Sequence, residues 1–213
     1  MSDVTGALQI YGNAIKYMRE SGLESEIDWQ RTACPEVLTE SAFLRETAWV
    51  ILCSGFREAV VRQIFDYVSL CFCDWESAEA IVESSTACVL SAKSAFRNES
   101  KLNAVVNVAR IVERLGFEQL KSDILHEPIR TLRQFPFIGP VTVWHLAKNF
   151  GFNLAKPDRH LIRIAQHFGF ENPHAFCSAI AEVRGDPVKV VDLVIWRFLA
   201  DHPREKAVAL VAR

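Results

Sequence analysis

The chain has 213 residues, half of them hydrophobic and 23% charged, with 24 Lys and Arg against 26 Asp and Glu for a formal net charge of -2. A chain of this size buries most of the surface that its unfolded form would expose, which excludes a disordered or fibrous protein, and eight Pro and nine Gly leave no low-complexity linker. With no apolar run near the roughly 20 residues of a membrane span, and no basic start followed by an apolar stretch, the expectation is a soluble cytoplasmic protein with no membrane partner; taken alone, the balanced charge argues against nucleic acid.

Apolar positions recur at helical spacing over residues 5–21, 41–52, 58–73, 77–84, 86–96, 100–115, 128–135, 140–150, 159–168, 173–183, 187–200 and 203–211. Gly22, Gly116, Gly151 and Gly169 follow such runs as stops, and Asp74, Asp158 and Asp186 precede new ones as caps. No alternating segment demands a sheet, so the expected class is all-α. Of the six cysteines, Cys34, Cys53, Cys71, Cys73, Cys88 and Cys177, four sit in apolar stretches and no pair has C-x-x-C spacing. Buried reduced thiols are expected, not a metal site or a disulfide framework.

The informative stretch begins at Leu132-Arg-Gln-Phe-Pro-Phe-Ile-Gly-Pro-Val-Thr142. Pro136 stops a helix and Pro140 suits the first position of the next, because its missing N–H would be unpaired there. Only residues 136–139 separate the two, and free N–H groups at the second helix's start would form a ready phosphate site. An ordinary helix hairpin is the alternative. Farther on, Pro157 holds Lys156 extended in Lys156-Pro-Asp-Arg-His160, and Asp158 opens an amphipathic helix. A carboxylate at a helix N-terminus is favoured in its charged form; a plain N-cap is the alternative reading.

Together these stretches resemble the helix-hairpin-helix (HhH-GPD) DNA glycosylases, the superfamily that includes endonuclease III. There, a hairpin L-P-G-V-G-x-K-T is followed about twenty residues later by Val-Asp-Thr-His and an amphipathic helix. Phe135-Pro-Phe-Ile-Gly-Pro-Val-Thr142 and Lys156-Pro-Asp-Arg-His160 occupy those places. Upstream, Trp49-Val-Ile-Leu-Cys-Ser-Gly-Phe-Arg-Glu58 is similar to the segment that enters the family's base pocket, and Asn98-Glu-Ser-Lys-Leu-Asn-Ala104 to its N-S-K-A helix. The likeness runs over roughly residues 41–200.

The resemblance implies one two-lobed all-α domain over 1–213 with a cleft between its lobes. Its hairpin would lie at 128–151 and its catalytic-Asp loop and helix at 152–169, with terminal helices 1–40 and 170–213 completing the second lobe. It implies a partner, double-stranded DNA carrying a modified or damaged base, which is flipped into a pocket. Asp158 takes the catalytic role: breaking an N-glycosidic bond builds positive charge on the sugar, and a carboxylate can stabilise it and orient or deprotonate water. Contacts to DNA are expected from Phe137, Ile138, Gly139, Val141 and Thr142 of the hairpin, and from Arg57, Lys156 and Arg159. Base-pocket candidates are Cys53, Ser54, Phe56, Glu58 and Asp192, with Phe56 and Arg57 also placed to fill the gap left by the base. A monomer is expected.

Departures from the pattern matter as much. Members that also cut the strand have a Lys two residues past the second hairpin Gly, and this chain has Val141 there. Lys148 lies about 10 Å farther along a helix at 1.5 Å per residue, and Lys156 is the other displaced substitute. The expectation is a monofunctional glycosylase that leaves an intact abasic site. Alternatives are a bifunctional enzyme using a displaced Lys, a non-catalytic DNA-binding module, or an all-α enzyme acting on small molecules. Phe137 replaces the first hairpin Gly. The family's hairpin monovalent cation would rest on the Phe135 and Ile138 carbonyls, and an iron–sulfur cluster is excluded because only Cys177 lies beyond Cys88. No cofactor is required. Resolved along the chain, the charge reads differently: from 129 to 167, Arg130, Arg133, Lys148, Lys156, Arg159 and Arg163 face only Asp158, a basic segment fit for phosphate.

Overall fold

The computed structural model describes residues 2–202, and the helix expected at 203–211 lies outside them. Every regular element among the described residues is helical, as the all-α expectation requires. In chain order these are α1 (Val4–Glu20), α2 (Glu24–Thr32), α3 (Glu40–Cys53), α4 (Glu58–Cys71), α5 (Ala78–Glu83), α6 (Ser85–Ala92), α7 (Glu99–Leu115), α8 (Phe117–His126), α9 (Pro128–Leu132), α10 (Thr142–Asn149), α11 (Arg159–His167), α12 (Pro173–Arg184) and α13 (Val188–Asp201). None of these is long and apolar enough to cross a membrane. The chain divides into two compact units, one built from the segments up to Cys34 and from Gly151 onward, the other from Pro35–Phe150.

In the first unit, α1 buries Ala7, Ile10, Tyr11, Ala14 and Met18, the i, i+3, i+4, i+7 stripe of an amphipathic helix. Asp3 caps it, accepting the N–H of Gly6 at 2.9 Å. The cap is worth about 1 kcal/mol, whereas each large side chain such as Ile10 or Met18 contributes roughly 1.5–3 kcal/mol on burial, so packing decides that α1 forms. Helix α13 is buried nearly all round and packs on α1, α2, α11 and α12. The sequence pattern misses α2 because only Ile27 and Gln30 of its residues point inward. Polar contacts hold it: Arg197 pairs with Glu26 at 2.9 Å, and Arg31 with Asp186 at 3.0 Å. Asp186 is therefore no cap for α13; it also accepts the Tyr11 hydroxyl at 2.7 Å. Burial, then Asp186, raises the Tyr11 pKa.

In the second unit, α3 supplies Phe43, Leu44, Ala48, Val50, Ile51 and Leu52 to the core and packs on α4, α7 and α10. Phe43 lies 5.4 Å from Phe135 and 5.4 Å from Phe150, which fastens both flanks of the 133–149 segment to α3. Helix α8 also escapes the pattern, with only Leu120 and Ile124 buried. Helix α4 stops at Cys71, short of 73, because Cys73, Asp74 and Trp75 adopt φ of 55°, 47° and 62°. Each costs roughly 1–2 kcal/mol, offset where Trp75 stacks on Phe65 and Phe72 at 5.9 and 5.5 Å. Asp74 therefore lies inside the turn, and Ser77 caps α5 instead, accepting the Ala80 N–H at 3.1 Å.

The cysteines follow the expected burial only in part. Cys88 and Cys177 are buried, Cys53, Cys71 and Cys73 are half-buried, and Cys34 is exposed. Those outside the core flank chain turns, where the apolar stretch around them has already ended. Burial, and after it the neighbouring Cys73, pushes the Cys88 thiol up to about 12.

Candidate functional site

In the first unit, Gly151 leads into an irregular segment ending at Asp158. Asp192 of α13 is wholly buried, and its Oδ2 accepts the Lys156 N–H at 3.1 Å. It therefore braces this loop from within. The Asp158 N–H donates to the Lys156 carbonyl at 2.8 Å, closing a tight bend at Pro157. Asp158 then caps α11: its Oδ1 accepts the N–H groups of His160 at 2.9 Å and Leu161 at 3.0 Å. Its residue exposure is 9%. The other oxygen, Oδ2, lies 3.9 Å from Lys156 Nζ, an ammonium that also sits 5.8 Å from the Trp196 ring. One oxygen is thus locked by the helix, while the second faces a positive charge. Burial lowers the pKa of His160, against the opposing pull of Asp158. Arg159 is exposed.

In the second unit, residues 133–141 join α9 to α10, a longer connection than the four residues expected. Pro136 disfavours helical geometry at Phe135, and Pro140 lies ahead of α10 instead of opening it. The turn is closed locally. Ile138 N–H donates to the Phe135 carbonyl at 3.2 Å and Val143 N–H to the Gly139 carbonyl at 3.0 Å, while Thr142 Oγ1 accepts the Gly139 N–H at 2.6 Å. Phe137 takes φ 61°, the left-handed conformation that glycine would adopt without strain, and stays exposed. No side chain caps α10, so although the Val143 N–H is engaged, the partial positive charge of the helix start suits an anion. Val141 is exposed and Thr142 half-buried. Ile138, expected to touch DNA, has its side chain buried; it anchors the turn. Of the two carbonyls expected to hold a cation, that of Phe135 accepts the Ile138 N–H and keeps a second lone pair.

The loop after α3 carries the remaining candidates. Phe56 is exposed, 5.1 Å from the Phe96 ring. Arg57 is exposed, and Cys53 and Ser54 are half-buried. Glu58 pairs with Arg62 at 2.6 Å, so its carboxylate is engaged along α4. The basic segment is also thinner than its count: Lys148 is buried, and Arg130 pairs with Glu127 at 2.8 Å.

Two buried lysines escape the sequence reading. Lys101 is 3% exposed and donates to the carbonyls of Ile51, Leu52 and Ser54, the Leu52 bond measuring 3.1 Å. Lys189 donates to the carbonyls of Ala33 and Gly151, the latter at 3.0 Å. Only the Asn98 motif hinted at the first, by fixing Lys101 in the opening turn of α7 through a 3.2 Å cap.

No known family profile matches the chain, and no curated protein does. Among solved structures, it is similar to a Methanocaldococcus jannaschii 8-oxoguanine glycosylase/lyase in complex with a 15-mer DNA containing 8-oxoguanine. That likeness covers 89% of this chain and 97% of the other, with a TM-score of 0.50 and 17% identity. What the two share is the helical fold.

Proposed function

We propose that the protein is a monofunctional DNA glycosylase, which flips a damaged or modified base out of duplex DNA and hydrolyses its N-glycosidic bond to leave an abasic site. The observation that carries the reading is Asp158, a nearly buried carboxylate clamped by two backbone N–H groups at the head of α11. The likeness of fold to a protein named as an 8-oxoguanine glycosylase/lyase in complex with DNA supports it and makes an oxidised purine the first substrate to test.

In the reaction, the C1′–N bond stretches and positive charge develops on the deoxyribose. Asp158 Oδ2, the oxygen not taken by α11, stabilises that charge and accepts a proton as water adds to C1′; the base departs with the bonding electron pair. Clamping Oδ1 matters because the charge is then already oriented and no reorganisation is needed at the transition state. Asp192 holds the preceding loop through the Lys156 N–H. The uncapped start of α10, with Gly139, Val141 and Thr142, binds backbone phosphate, and Arg57 and Arg159 add positive charge. With Val141 in the lyase position and Lys148 buried, the abasic strand stays intact. One observation favours the bifunctional alternative: Lys156 Nζ lies only 3.9 Å from Asp158. Borohydride trapping of wild type but not Lys156→Ala would establish it.

The test of the catalytic role is Asp158→Asn. Asparagine keeps the acceptor oxygen for α11 and removes the charge, so base release should fall by about 10²–10⁴ with duplex affinity unchanged. Unchanged release would overturn the assignment, and a wild type that binds DNA but releases no base would indicate a binding module.

A further inference from the structure

A lysine ammonium inside a helical core is costly unless its donors are satisfied, and Lys101 has an arrangement that does this in an uncommon way. Its Nζ donates to the carbonyls of Ile51, Leu52 and Ser54 at the C-terminal end of α3, where the Ile51 carbonyl also accepts the Ser54 N–H at 3.3 Å and where a positive charge is favoured by the helix dipole. All three N–H bonds are accounted for. Two aromatic rings flank the same nitrogen, Phe56 at 5.0 Å and Phe137 at 5.4 Å, within the range of cation–π attraction. One ring belongs to the loop after α3 and the other to the 133–141 connection, so a single ammonium joins two segments some eighty residues apart in sequence. Both rings are open to solvent, at 44% and 42% exposure. Phe137 keeps its ring there at φ 61°, and strain retained at an exposed apolar residue points to a use for that residue.

We propose that Lys101 is a positioning residue, which holds Phe56 and Phe137 together as one aromatic surface on which unstacked bases of DNA dock. The inference rests on the DNA-binding part of the function proposed above. Exposed aromatic rings stack on bases of any sequence, and apolar side chains inserted at a disrupted step hold the duplex open. Arg57, exposed beside Phe56, supplies a phosphate contact for the same strand.

The arrangement carries its own pH signature. Burial pulls the Lys101 pKa down to about 8, and among the described residues Cys53 acts on it in the opposite direction. The groups packed on Nζ from α3, its following loop and the hairpin are otherwise carbonyls and Phe rings, which do not titrate. Because the folded-state pKa lies below that of a free lysine, the ammonium is present below about pH 8 and lost above it. The aromatic surface should then loosen above that pH.

The experiment uses the full chain with a duplex containing an abasic analogue beside 2-aminopurine, and a fully paired duplex for comparison. Affinity and 2-aminopurine fluorescence are read from pH 6.5 to 9.5 for wild type, Lys101→Met, Lys101→Arg, Cys53→Ser and the Phe56→Ala/Phe137→Ala pair. Wild type should lose roughly tenfold in affinity for the abasic duplex as pH passes through 8, as expected for losing base stacking. Cys53→Ser should show the same fall through pH 8 relative to its own affinity at pH 7, since the step belongs to Lys101. Lys101→Met should be weak at pH 7 with a flat profile, and Lys101→Arg should bind at pH 7 and stay flat to 9.5. The double Phe variant should match Lys101→Met. A folded Lys101→Met with wild-type affinity and profile overturns the inference. If Lys101→Met does not fold, the wild-type profile and the double Phe variant decide: a flat profile, or a Phe pair without effect, overturns it. A wild type that binds neither duplex removes the DNA reading and this inference together, whereas loss confined to the Lys101 variants' predictions removes the inference alone.

Discussion

Gly151 offers the sharpest structural test, because the route to Asp158 starts there. Its φ is 100°, and a Cβ placed on it would lie 2.6 Å from the carbonyl carbon and oxygen of Ala33 and from the nitrogen of Cys34. Restoring ordinary contact at 3.4 Å requires about 0.8 Å of backbone movement. Both strands of chain are held by one ammonium, since Lys189 Nζ donates to the Ala33 and Gly151 carbonyls, and Asn153 Oδ1 accepts the Lys189 N–H at 3.2 Å. Alanine in a left-handed conformation costs roughly 1–2 kcal/mol, and weakening a hydrogen bond to a charged group about 1.5–3 kcal/mol more. Gly151→Ala should therefore lose about 3–5 kcal/mol. Gly185→Ala is the control: φ is 74° with nothing within 4 Å of the new Cβ, so only the conformational cost of roughly 1–2 kcal/mol applies. Urea unfolding followed by circular dichroism measures both, and the extra loss at Gly151, roughly 1.5–3 kcal/mol, should lower the midpoint by about 0.5–3 M at slopes of ~1–3 kcal/mol/M. Equal losses in the two variants would refute the close-approach argument.

Two further outcomes follow from single residues. Asp158→Ala should lose about 1 kcal/mol of stability by removing the α11 cap while Asp158→Asn loses almost none; equal melting behaviour in the two would mean the observed N–H bonds contribute nothing. Glu46 accepts from Arg45 and, at 3.0 Å, from Asn149, and burial raises its pKa above the usual carboxylate range. A raised carboxyl binds its proton more tightly when folded, so stability from this group is lost as pH rises through the folded pKa. Wild type should accordingly gain on Glu46→Gln as pH is lowered from 7 toward 5, and a pH-independent difference would contradict this.

Much of this was legible in the sequence where one residue type has one dominant physical use. Asp158 after Pro157 reads as a helix cap and is one, and Gly22, Gly116, Gly151 and Gly169 all end their runs with positive φ. Helices α2 and α8 were illegible because each turns only two side chains inward, too few to print a period. The hairpin is longer than its sequence suggests because Pro140 does not open α10: a hydroxyl three residues from Gly139 closes the turn first. The burial of Lys101 and the loop contact of Asp192 were illegible because charged side chains are expected at the surface or in a site, and their partners are backbone groups that no side-chain pattern reveals. Phe137 was visible as a departure from glycine, but its left-handed backbone and its ammonium neighbour come only from the folded chain.

The central claim is tested most directly by the fate of the DNA strand. Wild-type protein is incubated with end-labelled duplexes, each carrying one modified base beginning with 8-oxoguanine, and each product is split between neutral and alkaline work-up while the free base is identified by mass spectrometry. The account predicts release of the free base from at least one duplex, with the strand intact at neutral pH and cut only after alkali. Strand scission at neutral pH would contradict the monofunctional reading, and duplex binding without release of any base would contradict the glycosylase itself.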